Sequence, residues 1–239
     1  MQHATQFVTQ KIPVLKIASA FFATKKSVQK NGNRERAFRD VKPAFSPAPF
    51  FSGPIWTAIF SGLNLYGAIA GKQATPSAKR WHKLNMLFHG ISSWANSKNN
   101  FIIERATSLG MLASAFAYRS RLNTMDRGFM NTFVRWGAEL YAGWMVNSVV
   151  IEAAIDYEKK NPHRSESQQV SRGLLIVGGL TLLGAVVTAK TQWRGVPASF
   201  VWGLTGAVAN EDNAPPVRTA AILSAGYFLY KALEPKSQH

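Results

Sequence analysis

After Arg172, seventeen consecutive residues, Gly173 to Ala189, carry no charge and offer nothing polar beyond two threonines. As a helix that run rises about 25 Å, close to the ~30 Å hydrocarbon core of a bilayer. It therefore predicts a segment whose solvent is lipid, and the rest of the chain has to be read against that solvent. Two further stretches have spanning length: 129–155, and 50–71, which is uncharged over 22 positions. Shorter helical stretches are expected at 84–94, 101–118, 196–209 and 217–233. The first of these is diluted by Asn85, His89, Ser92 and Ser93, so it crosses a bilayer only if neighbouring helices shield it. The expectation is an all-α fold: a polytopic membrane helical bundle over 50–233, preceded by a basic extension at 1–49 and followed by a short tail at 234–239.

Averages hide this pattern. A mean hydropathy of −0.07 and 46% apolar residues would suit a soluble domain. The mean is low because polar sequence is gathered at 1–49, 72–83, 157–172 and 210–218, which leaves the intervening segments depleted of it.

Charge narrows the partners. There are 28 basic and 12 acidic residues, a formal +16, which calls for an anionic surface. The basic residues sit in connectors and tails without a nucleic-acid-binding motif around them, so nucleic acid is excluded. Anionic lipid headgroups and acidic faces of neighbouring subunits are the expected partners. The lack of cysteine removes disulfides, thiolate metal sites and thiol nucleophiles. From Met1 to Arg34 there is no acidic residue, while Lys11, Lys16, Lys25, Lys26, Lys30 and Arg34 interleave with Phe7, Ile12, Leu15 and Phe21. A basic, acid-free, partly amphipathic start is the pattern of an organelle import segment, or of a helix lying on a membrane surface.

A proline-rich segment precedes the first helix. Pro43, Pro47, Pro49 and Pro54 fall within twelve positions, a density that excludes helix interior. Pro54 sits where proline is tolerated, in a first turn behind Ser52 as the expected N-cap. Gly67 to Gly71 closes that helix with small residues suited to close helix contact in lipid. Pro215 and Pro216 break the last apolar region into a helical hairpin.

The order of these elements resembles the TspO/translocator family, the tryptophan-rich sensory proteins, in its longer form with extra carboxy-terminal helices. Three places carry the resemblance: Lys42 to Pro49 running into Pro54-Ile-Trp56, the helix Leu140-Tyr-Ala-Gly-Trp144-Met-Val-Asn, and Gly195 to Gly206 with its Val201-Trp202-Gly-Leu. The resemblance implies five family helices plus a carboxy-terminal hairpin, and a pocket lined by aromatic residues that binds a porphyrin, sterol or other lipid non-covalently. Trp56, Trp94 and Trp144 are the matching positions, with Tyr66 as a further aromatic wall. Two departures stand out. The aromatic of the proline segment is Phe, and Ile91-Ser92-Ser93 stands where the family places an Asn before Trp94.

Ionisable residues inside predicted spans are the other candidates. Glu139 lies within the fourth helix, where a charge is costly unless partnered, and Arg135 is four residues earlier on the same face, so a buried ion pair Arg135–Glu139 is expected. His82 and His89 are seven apart and share a face, but no acidic or cysteine ligand accompanies them, and packing or interfacial roles are expected in place of a metal site. No nucleophile elbow, phosphate-binding glycine loop or HExxH occurs, so no catalytic set is expected and the chain is not read as an enzyme. Two functions fit these residues. One is a non-catalytic accessory subunit of an organellar energy-transducing complex, the mitochondrial respiratory chain in the inner membrane first, with a plastid membrane as the alternative. The other is a binding or transport protein for a tetrapyrrole, sterol or other lipid.

Overall fold

The structure, a computed structural model, describes residues 44–47, 52–65, 75–98, 100–122, 128–161 and 165–234. Tyr66, the small-residue run 67–71, most of the amino-terminal extension and the end of the tail lie outside the described residues. Among the described residues there are seven helices and no strand: α1 (Ser52–Leu65), α2 (Pro76–Ser97), α3 (Phe101–Ser120), α4 (Phe129–Lys160), α5 (Glu166–Thr191), α6 (Gly195–Val208) and α7 (Pro215–Leu233). The all-α expectation holds. One helix among them, α5, is long and apolar enough to cross a membrane.

Helix boundaries follow local chemistry that hydropathy alone misses. α2 begins eight residues before the apolar stretch, because Thr75 accepts the Ala78 N–H as N-cap and Pro76 occupies the first turn. The polar stretch 157–172, expected as a connector, is largely helical. α4 runs on to Lys160, and α5 starts at Glu166 behind a capping box in which Ser165 and Gln168 exchange hydrogen bonds. The prolines at 215 and 216 open α7 at its first two positions. At the far end of α7 the Lys231 ammonium lies 2.8 Å from Glu234. That hydrogen bond holds the Glu234 carboxyl below its usual range.

The described residues fall into two compact units, one within Phe60–Arg135, the other within Phe38–Ile59 and Trp136–His239. In the first, α2 and α3 form an antiparallel hairpin. Asn85 Nδ2 donates to Met111 O at 3.1 Å and Ser114 Oγ at 2.7 Å, the His82 and Tyr118 rings meet at 5.3 Å, tilted by 45°, and Phe88 fills the space a side chain at Gly110 would need. Paired positions descend on one helix as they rise on the other.

In the second unit the close contacts fix the helix directions. Glu139 and Leu140 meet Gly195, Gly143 meets Val196 and Ser199, and Asn147 meets Gly203. The near-constant offset of about 56 makes α4 and α6 parallel. Gly173 meets Val217, Gly184 meets Phe228, and Thr181 bonds Ser224, so α5 and α7 are parallel with an offset near 44. α6 and α7 form the expected antiparallel hairpin, with Phe200 stacked on Phe228 at 4.8 Å. The second unit is therefore an up-down-up-down arrangement of α4 to α7.

Its outer surface is apolar. Leu175 is 75% exposed, Leu182 70%, Leu223 71% and Leu233 72%. Only 22% of the apolar window of α5 is buried, which is unlike the core helix of a water-soluble bundle. Its position far from the amino terminus also sets it apart from a signal sequence.

Candidate ligand-binding site

The proline segment is built into the second unit by buried polar groups. Ala44 and Phe45 are fully buried. The Ala44 N–H donates to both carboxylate oxygens of Glu158, each at 2.9 Å, and Glu158 is itself 1% exposed. The Ser46 N–H donates to Asn213 Oδ1 at 3.1 Å, while Asn213 Nδ2 donates to Ser46 O at 2.8 Å and Ala207 O at 2.7 Å. Asn210 Nδ2 adds bonds to Ser46 Oγ at 2.8 Å and Ser46 O at 3.1 Å. A side chain at Gly173 would meet the Ala44 carbonyl at 2.7 Å. Chain ends from α4, α5 and the α6–α7 turn thus grip one short segment whose backbone could not otherwise be satisfied so far from helix. Glu158→Ala leaves the Ala44 N–H buried and unpaired, so thermal unfolding in detergent is expected to show a loss of about 1–3 kcal/mol.

That anchor fixes where α1 begins and so where Trp56 lies. Its ring sits 6.1 Å from Tyr141 at 52° and 6.4 Å from Trp144 edge-on at 83°, both within the range of favourable aromatic pairs. Tyr141 is fully buried and Trp144 is 6% exposed. A side-chain carbon at Gly203 would lie 3.7 Å from Trp144 Cζ3 and 3.4 Å from Asn147 Oδ1, ordinary contact distances, so α6 runs directly beside the indole. Asn147, one turn beyond Gly143, spends its Nδ2 on the Gly143 carbonyl at 3.0 Å. The Trp144 Nε1–H is buried without a hydrogen-bond acceptor. The cluster is closed, and a flat apolar ligand would have to part the rings to stack on them and accept the one unspent donor.

The sequence-derived site divides under this geometry. Trp56 and Trp144 are brought together. Trp94 belongs to the other unit and is 53% exposed, and Tyr66 lies outside the described residues. Tyr141, missed by the sequence reading, takes a place in the cluster; its position three before Trp144 on one helix face was the available signal. Glu139 is buried, and its Oε2 accepts the Gly195 N–H at 3.0 Å, so a carboxylate from α4 sits at the start of α6, where a negative charge is favourable. This bond joins two helices, whereas the expectation was the Arg135 pair within α4; Arg135 is half-buried. His82 and His89 are both buried, with His89 5.6 Å from the Phe60 ring, which is the packing role anticipated. Among the described residues no group of three His, Cys, Asp or Glu side chains could hold a metal ion. Asn85 between them was overlooked; its Oδ1 is buried without a donor.

The fold and this cluster define an all-helical chain with a lipid-compatible surface and an aromatic niche. A family model described as TSPO-like protein matches residues 12–233, and the chain belongs to that family. Membrane association comes with the family. No curated protein and no solved structure matches the chain.

Proposed function

We propose that this protein is a polytopic, non-catalytic membrane protein that binds a flat hydrophobic ligand, a tetrapyrrole or a sterol-like lipid, at the cluster of Trp56, Tyr141 and Trp144. The observation that carries this reading is the Trp144 Nε1–H. A buried donor without an acceptor costs about 1–3 kcal/mol, and a ligand oxygen or carboxylate seated on the ring cluster would remove that cost. Family membership supports the binding or transport class. The test is titration of the purified protein with protoporphyrin IX, followed by tryptophan fluorescence: saturable quenching with one site per chain supports the reading, and linear, non-saturating quenching overturns it.

The membrane in question is that of an organelle, the mitochondrial inner membrane first. The acid-free basic stretch of 1–34 supports this. A reporter carrying residues 1–49 is expected to collect in mitochondria; a cytosolic or plastid signal would contradict that assignment.

A second reading, an accessory subunit of an energy-transducing complex, draws support from the two departures at Phe45 and at Ile91-Ser92-Ser93. It predicts co-migration with a large complex on native gels, whereas a monomer or dimer band counts against it.

A further inference from the structure

We propose that the groove between α5 and α7 holds one acyl chain of an anionic glycerophospholipid, with the headgroup against Lys190, Arg194 and Lys231. This inference rests on the reading of α5 as a lipid-embedded helix, and it is independent of the aromatic niche.

The groove has a volume of about 450 Å³ and is lined by Leu174, Gly178, Thr181, Ala220, Ser224 and Tyr227, among others. From the level of Leu174 to that of Ala185 it runs about 16 Å, roughly one leaflet of a ~30 Å hydrocarbon core. The two hydroxyls on its floor are already spent. Thr181 Oγ1 lies 2.7 Å from Val177 O and 2.8 Å from Ser224 Oγ, so the floor asks for no donor or acceptor from an occupant. Gly178 deepens it, since a side-chain carbon there would meet nothing within 4 Å. Such a surface suits a methylene chain.

Charge at the two ends selects the lipid. Because α5 and α7 are parallel, both carboxy-terminal ends lie at the same end of the groove. Lys190 and Lys231 occupy their last turns, and Arg194 follows α5 by three residues. Against these three cations stand Glu234 and, buried on the Gly195 N–H at the start of α6, Glu139, leaving a balance of +1. Lys190 and Arg194 are exposed. At the opposite end Arg172 lies 5.1 Å over the Tyr157 ring and reaches Asn161 O at 3.5 Å, Arg218 Nε donates to Val208 O at 2.9 Å, and Lys159 and Lys160 end α4 beside the buried Glu158. Glu166, Glu211 and Asp212 also lie at that end. An anionic headgroup is therefore drawn to the Lys190 end. A second copy of the chain, inserted with the same orientation, would bring like charge to the same depth and be repelled.

The full chain, purified and delipidated in detergent, is incubated with equal amounts of dioleoyl phosphatidylglycerol and dioleoyl phosphatidylcholine and examined by native mass spectrometry. One bound phosphatidylglycerol, preferred at least fivefold over phosphatidylcholine, is expected. Lys190→Gln with Arg194→Gln removes the preference, and Gly178→Leu lowers both adducts at least fivefold. The Gly178→Leu variant has open space around its Cβ and gains helix propensity, so it is expected to fold, with porphyrin quenching at the wild-type level. Equal adducts of the two lipids on the wild type overturn the proposal. So does a Gly178→Leu variant with unchanged adducts, or one that loses a protein dimer instead of lipid.

Discussion

Replacing Gly143 by alanine will destabilise the protein by about 1–2 kcal/mol, although alanine in a helix interior is ordinarily worth about 1 kcal/mol more than glycine. The reason is the crossing of α4 and α6. A Cβ at 143 would run into Ser199 Oγ and stand 2.9 Å from Val196 O and 3.0 Å from Val196 Cα. The hydroxyl could turn away, but only by giving up its 2.7 Å bond to Val196 O, and the backbone atoms cannot move without shifting α6. Overpacking of this kind costs about 1–3 kcal/mol and outweighs the propensity gain. Gly178 is the internal control. No atom lies within 4 Å of a Cβ there, so Gly178→Ala is expected to be neutral or stabilising by up to about 1 kcal/mol. Thermal unfolding followed by circular dichroism in the same detergent compares the two directly, and equal shifts would contradict the close α4–α6 contact.

Trp144→Ala will weaken porphyrin binding by about tenfold or more. It removes the buried donor, worth about 0.5–1.5 kcal/mol as a hydrogen bond, and an aromatic contact of about 0.5–1.5 kcal/mol; together these span roughly five- to 150-fold in affinity. Trp144→Phe keeps a ring in the cluster and loses only the N–H, so its loss is expected to stay near two- to tenfold. Alanine also leaves a cavity against Trp56 and Gly203 that costs stability, which is why the phenylalanine variant is the cleaner measure of the donor. Trp94→Phe, on an exposed position of the other unit, is expected to leave affinity unchanged. If Trp94→Phe weakens binding as much as Trp144→Ala does, the ligand does not sit on the Trp56–Tyr141–Trp144 cluster.

Much of the architecture was legible in the residues. Hydropathy located the apolar body of α5, Pro54 marked the start of α1 and the Pro215-Pro216 pair the α6–α7 hairpin, and the Trp144 segment pointed to one part of the aromatic cluster. What failed to show was everything that depends on contacts between distant positions. The start of α2 was hidden because a Thr75 cap and a proline first turn act through local hydrogen bonds and dihedral angles, which a hydropathy window does not sense. The helical ends of the 157–172 stretch were hidden for the same reason. Glu158, Asn210 and Asn213 read as ordinary polar connector residues, because their partner is a backbone segment more than a hundred positions away. Glu139 stood out as an ionisable group in a span, yet its bond to Gly195 crosses 56 residues, and spacing within one helix could suggest only Arg135. The parallel setting of α5 and α7, which collects Lys190 and Lys231 at one end, is likewise invisible until the register of the helices is known.

Because the chain lacks cysteine, single cysteines report its solvent without background. Leu182→Cys, on the open face of α5, and Gln192→Cys, just past its end, are to be labelled with a membrane-impermeant maleimide in native membranes opened to both sides. Lipid around α5 predicts rapid labelling at 192 and protection at 182 that disappears in SDS. Labelling at 182 as fast as at 192 in intact membranes would place the helix in water and contradict the membrane reading.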